Sequence, residues 1–177
     1  MICNFFKKLC EKREIKKIEK ATVKPVDVPL PPIATFPKWF TVALNEIGVK
    51  EFPGEKHNPR IVEYHQSCDL KAKTDEIAWC SAFVNWCFLK SGIDFRTRSA
   101  ASSSWRKWGR ETNDPKIGDI VIFRRVDSDW RGHVGFFVAK DENRILVLGG
   151  NQGDEVCFQW YKYKTGKLDF FQFRSMQ

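Results

Sequence analysis

The hydrophobic period of this chain changes near Pro115, and that change limits the folds open to it. Before it, apolar residues recur at three- and four-residue intervals, the period of helices packing one face. Pro37 suits a first helical turn, and Trp39, Val42, Ala43, Glu46 and Ile47 follow at helical spacing until Gly48 stops the run. Pro59 opens a short helix expected over residues 61–66. Cys80–Lys90 reads as a helix closed by Gly92, with Cys80, Phe83, Val84 and Cys87 on one face. A further short helix is expected over 100–108, ended by Gly109. After Pro115 come IGDIVIFRR, GHVGFFVA, RILVLGG, EVCFQWYKY and LDFFQF, short β-branched and aromatic runs divided by turn residues. Helices first and strands afterwards predict an α+β domain, its N-terminal helices packed on a C-terminal antiparallel sheet that curls readily into a half-barrel.

That domain occupies residues 36–177 of a 177-residue chain. Residues 21–37 hold five of the eight prolines and no glycine, which makes 21–35 an extended, semi-rigid linker. Residues 1–20 are basic and partly amphipathic, with Ile2, Phe5, Phe6 and Leu9 at helical spacing beside Lys7, Lys8 and Lys12. Contact with an anionic membrane or lipopolysaccharide is one reading of this segment; a frayed tail, or a helix docked on its own domain, is the other. Its apolar residues precede its basic ones, unlike a secretory signal. The longest uncharged stretch, residues 77–89, has 13 residues, short of the ~20 that span a bilayer.

The formal charge is +8, and half of that excess lies in residues 1–35, with eight Lys/Arg against four Asp/Glu. The tryptophans lie elsewhere, so basic and base-stacking residues are segregated and a nucleic-acid partner is not expected. Six cysteines without a CxxC motif give little support to a zinc site. Cys80 and Cys87 would stand about 10.5 Å apart along a helix at ~1.5 Å per residue, too far to bridge. Reduced thiols are expected.

The segment DEIAWCSAFVNWC places Cys80 at the first turn of an apolar helix, where the dipole and free backbone N–H groups favour a thiolate and can hold an oxyanion. His57 and His65 fall in or near early loops, whereas His133 heads an apolar strand between Gly132 and Gly135. LGGNQ ends the next strand, which places Asn151 beside the start of its antiparallel neighbour, where it can orient the imidazole. Each residue alone has a structural explanation. Together they form the order of a Cys-His-Asn nucleophilic site.

WCSAFVNW, GDIVIF, GHVGFF and LGGNQ, in that order, resemble the CHAP and NlpC-type cysteine peptidases that cleave bacterial peptidoglycan. WFTVALNEIGVKEFPGEKHNPRIVEYH is similar to the N-terminal helices of one CHAP-like subgroup, so the resemblance covers roughly residues 36–174. It implies a papain-like fold, Cys80 as nucleophile, His133 as general base and acid, and Asn151 at the third polar position. Many members carry Glu two residues before that Asn, where this chain has Gly149. Some bind calcium through an acidic loop; here Lys71 and Lys73 interrupt Asp69, Asp75 and Glu76, and neither a metal nor another cofactor is expected.

Trp79 beside the nucleophile and Trp130 before the Gly132–His133 turn are candidate walls of a substrate groove, with core packing as the alternative for each. Ser81, Gln152, Asp75 and Glu76 complete the expected substrate contacts; the two acids equally suit the entrance to a helix. Trp39, Trp86 and Trp160 are assigned to the core, and Trp105 and Trp108 to a helical pair. The function expected from the resemblance is a monomeric peptidoglycan hydrolase, an amidase or endopeptidase of the phage endolysin kind. It would be made in the bacterial cytoplasm without a signal peptide and act on the wall in the periplasm. A non-catalytic envelope-binding module and an antibacterial effector amidase of the same fold are the alternatives.

Overall fold

The computed structural model describes residues 36–176; the expected basic segment 1–20 and the linker 21–35 lie outside the described residues. α1 (Lys38–Asn45) follows Pro37 and buries Phe40, Ala43 and Leu44. α2 (Pro59–His65) starts at the proline itself because Asn58 caps it, its side chain accepting from the Arg60 N–H at 2.9 Å. The Tyr64 hydroxyl donates to Glu46 Oε2 at 2.6 Å, which ties α2 to the end of α1.

α3 (Cys80–Lys90) has the predicted limits but not the predicted single buried face: every residue from Cys80 to Phe88 is buried. Its polar side lies under the 91–101 loop rather than in water. Asn85 Oδ1 accepts from the Arg98 N–H at 2.9 Å, while its Nδ2 donates to the Ser99 carbonyl at 3.1 Å. Residues 102–107 form a 3-10 helix (Ser102–Lys107) in place of the expected α-helix. Three consecutive serines explain this, since their hydroxyls compete for local backbone groups, as Ser104 Oγ does for the Ala101 carbonyl at 2.7 Å.

Six strands follow: β1 (Arg110–Thr112), β2 (Ile120–Arg125), β3 (Gly132–Lys140), β4 (Arg144–Gly149), β5 (Cys157–Lys162) and β6 (Leu168–Ser175). They form one sheet in the order β1-β6-β2-β3-β4-β5, with every neighbouring pair antiparallel. β1 was not expected, because its three polar residues carry no alternation. The sheet curls, and its bulges lie between Ile122 and Phe123 and between Phe137 and Ala139. Tyr161 of β5 meets Phe123 of β2, a non-neighbour, at 4.8 Å between ring centroids. The Phe170 N–H of β6 donates to the Tyr163 carbonyl beyond β5 at 2.8 Å. Tyr161, Tyr163, Leu168 and Phe170 thereby cover a core of Val121, Phe123, Phe137, Ile145, Val147 and Phe173.

The helices pack against the sheet largely through aromatic rings. Phe136 of β3 touches Phe40, Phe83 and Phe88 at 6.0–6.4 Å, and Phe88 also meets Trp39, Trp105 and Trp108 at 5.2–5.8 Å. Phe88→Ala would remove a fully buried ring from this junction and is expected to cost about 3–5 kcal/mol. Urea titration should show a lower midpoint with an unchanged slope.

Candidate active site

α3 starts at Cys80, with Trp79 in the cap position. The first backbone N–H groups of a helix lack carbonyl partners within it. Those of Cys80 and Ser81 favour the thiolate, as does the N–H of Val134 on β3, which sets the sulfur against the residue next to His133. Burial outweighs them and raises the thiol above its ordinary value. The helix terminus thus favours the thiolate in the expected direction, but Cys80 is 7% exposed and desolvation is the larger effect.

His133 is also buried, stacked on Tyr161 at 5.2 Å and beside Phe123 at 6.3 Å. Its Nε2 lies 3.0 Å from Gln152 Oε1. The direction of that amide is set on its other side, where Gln152 Nε2 donates to the Cys157 carbonyl at 2.5 Å. Oε1 must then accept, so His133 Nε2 carries the proton and Nδ1 is the basic nitrogen of the neutral ring. Burial lowers the His133 pKa to about 4, against a smaller opposing effect of the Gln152 bond. Burial thus works against the charged form of both groups.

The amide that orients His133 thus belongs to Gln152 and not, as expected, to Asn151. The GGNQG sequence explains the exchange. Gly150 is pressed against the Trp79 ring and Phe83 Cβ, leaving no room for a side chain. Asn151 makes the turn at φ 58°, a left-handed conformation that asparagine tolerates better than glutamine. That turn leaves Asn151 lining an open cavity and lets the longer Gln152 side chain reach the imidazole. A Cβ at Gly149 would lie 3.0 Å from Gln152 Oε1 and 3.3 Å from His133 Nε2. The Gln152 amide therefore fills the space beside the imidazole that a Glu at position 149 would enter.

The expected substrate contacts divide. Trp79 is fully buried among Tyr64 and Phe83 and donates to Glu51 Oε1 at 2.7 Å, so it is core rather than groove wall. Ser81 is fully buried too, donating to the Ser99 carbonyl at 2.6 Å and accepting from Trp105 Nε1 at 2.9 Å. Asp75 is enclosed and holds the 52–58 loop, accepting from the N–H groups of Phe52 and Asn58 and from His57 Nδ1 at 2.8–3.1 Å. Its pKa is lowered because these bonds outweigh its desolvation. Glu76 is exposed, and Trp130 is 65% exposed with the Arg131 guanidinium 5.8 Å from its ring centre, free to stack on a ligand. Trp160, expected in the core, is instead an exposed β5 side chain under Arg144 at 4.3 Å, because it points to the face of β5 opposite Tyr161. Trp105 and Trp108 do pair, at 5.3 Å.

Tyr161 was missed by sequence reasoning. It stacks on His133, and its ionisation is pushed up by burial and by the nearby thiols of Cys157 and Cys80. The alternation of CFQWYK places Cys157, Gln159 and Tyr161 on one face of β5, a signal that required knowing which face met the histidine. Among the described residues, no three His, Cys, Asp or Glu side chains are grouped to hold a metal.

Residues 72–151 match the family model of the CHAP domain. Over that segment the chain is similar to the CHAP domain. The matched segment runs through Cys80 and His133 and stops at Asn151, one residue before Gln152. No curated protein was found to match the chain. CHAP domains are in general cysteine- or amidase-type hydrolase domains, and peptidoglycan is the substrate that the match implies.

The tautomer and its clamp are open to direct measurement. NMR titration of His133 should give a pKa of about 4. Gln152→Leu should lower it further, because the bond to Oε1 favours the protonated ring. Asn151→Gly, which keeps the left-handed turn, should leave it unchanged; the reverse pattern would return the orienting role to Asn151.

Proposed function

We propose that the CHAP-type domain is a cysteine amidohydrolase that cuts an amide bond in the peptide part of peptidoglycan, in a phage endolysin or related lytic protein. The observation that carries this reading is the Gln152–His133 bond at 3.0 Å, which leaves Nδ1 as the basic nitrogen of a histidine whose chain neighbour, Val134, turns its N–H to the Cys80 sulfur. The curl of the sheet, with β5 folded toward β2 and β6, supports a papain-like half-barrel behind that pair.

In the proposed reaction, Nδ1 of neutral His133 takes the Cys80 proton as the sulfur attacks the amide carbonyl. Backbone N–H groups at the start of α3 hold the oxyanion. The imidazolium, steadied by Gln152, returns the proton to the leaving amine, which leaves a thioester on Cys80. His133 then deprotonates a water that attacks the thioester, releasing the carboxylic acid and restoring the thiol. Starting from a neutral pair, proton transfer accompanies attack rather than preceding it. Residues 1–20, with their Lys-rich amphipathic pattern, would bring the domain to an anionic envelope, and the wall in the periplasm is the proposed place of action.

Cys80→Ala should abolish release of wall fragments from purified sacculi while leaving the circular dichroism spectrum unchanged; retained release would sink the assignment. Mass spectrometry of the fragments distinguishes glycan freed of peptide, the amidase product, from shortened stems still attached to sugar.

The pH dependence follows from His133. Its base form persists down to about 4, so the acid limb of kcat/KM on a soluble wall fragment should lie well below the ~6.5 of an ordinary imidazole. An acid limb at or above 6.5 would show that a different group, or a preformed ion pair, controls the step.

A further inference from the structure

A cavity of about 320 Å³ opens beside His133 on the side of Asn151. Gly132 and His133 form part of its lining, Tyr161 and Leu168 its apolar wall, and Arg125 and Lys167 are the charged residues that face it. No carboxylate side chain lines it.

The sheet register brings these cations to the histidine. Phe123 of β2 pairs with His133, so the two side chains share a face, and Arg125, two residues along, shares it as well. Arg125 in turn pairs with Leu168 at the start of β6, which carries Lys167 alongside. The Val126 N–H donates to the Lys167 carbonyl at 3.1 Å, joining the end of β2 to the turn before β6. Asp169 steadies that turn by accepting from the N–H groups of Thr165 and Gly166 at 2.7 and 2.9 Å, so its charge is used beside the turn.

Arg125 has one competing acid. Its Nε lies 3.3 Å from Asp127 Oδ1, and Arg131 shares the same carboxylate at 3.7 Å. All three side chains are about half exposed, so this pair is weak and one carboxylate serves two guanidinium groups. Lys167 makes no ion pair among those formed by the described residues. A planar guanidinium and an ammonium facing one small cavity, with an aromatic and an aliphatic wall, suit a carboxylate on a short carbon stem.

We propose that this cavity is a carboxylate subsite, in which Arg125 and Lys167 hold a free carboxylate of the peptide substrate next to the amide presented to Cys80 and His133. The inference rests on the proposed amidohydrolase reading and deepens it by naming the substrate's chemistry: the domain selects acidic wall peptides over their amidated forms.

The test uses two synthetic wall-peptide fragments identical except for one carboxylate converted to a carboxamide. Binding of each to the full chain carrying Cys80→Ala is measured by calorimetry, with no cleavage to confuse it. The expected result is about tenfold tighter binding of the carboxylate form, the worth of one charge-assisted contact. Adding Arg125→Gln and Lys167→Gln should bring the ratio close to one, whereas Arg125→Lys with Lys167→Arg should retain most of it. Equal binding of the two fragments, no binding of either, or a preference that survives the double Gln variant would each overturn the subsite. Cleavage by the wild-type chain is assayed separately. If neither fragment is cut, the amidohydrolase reading suffers while the binding comparison still decides the subsite.

Discussion

A helix buried on every side must satisfy its polar groups from inside the protein, and α3 imposes that condition on the whole domain. Ser81 and Asn85 on one flank are met by the Ser99 and Arg98 backbone, which pins the 91–101 loop across the helix. The apolar flank is met by rings from α1, α2, the 3-10 helix and β3. The N-terminus is enclosed as well, although its first N–H groups lack helical partners. Cys80 stands at that polar end in an apolar surround, with the Val134 N–H approaching from the sheet.

The same burial determines the electrostatics. A thiol and an imidazole taken out of water both prefer to be neutral, and the two N–H groups of the helix N-terminus with that of Val134 on β3 do not outweigh this at Cys80. What the fold supplies instead is orientation. Gln152 is held from behind by the Cys157 carbonyl and turns its oxygen to His133, while Tyr161 and Phe123 both pack against the ring. The nitrogen left basic is therefore selected by a chain of hydrogen bonds that begins on β5, far in sequence from both candidate catalytic residues.

Much of the framework was legible in the residues. The change of period near Pro115 separated helices from strands, and the limits of α3 could be read from its uncharged run and Gly92. Cys80 and His133 stood out because each polar residue opened an apolar element. The short strand β1 was not legible, since Arg110, Glu111 and Thr112 carry no apolar alternation and pair only because β6 offers an edge. Trp79 was misassigned for a related reason. Adjacency to Cys80 suggests a groove wall, but burial is decided by what packs above the residue, here Tyr64 and Phe83.

The sequence by itself determined the α+β class, the order of elements, and which cysteine and histidine head their elements, because period, helix stops and turn residues act locally. Tertiary structure decided which amide meets the histidine. Asn151 and Gln152 are neighbours of similar chemistry, and the choice depends on a left-handed turn and on Gly150 pressed against Trp79. It also decided that Arg125 and Lys167 share one cavity with His133. Arg125 ends β2 and Lys167 lies in the turn before β6, and only the register of β2 against β3 and β6 brings their charges together.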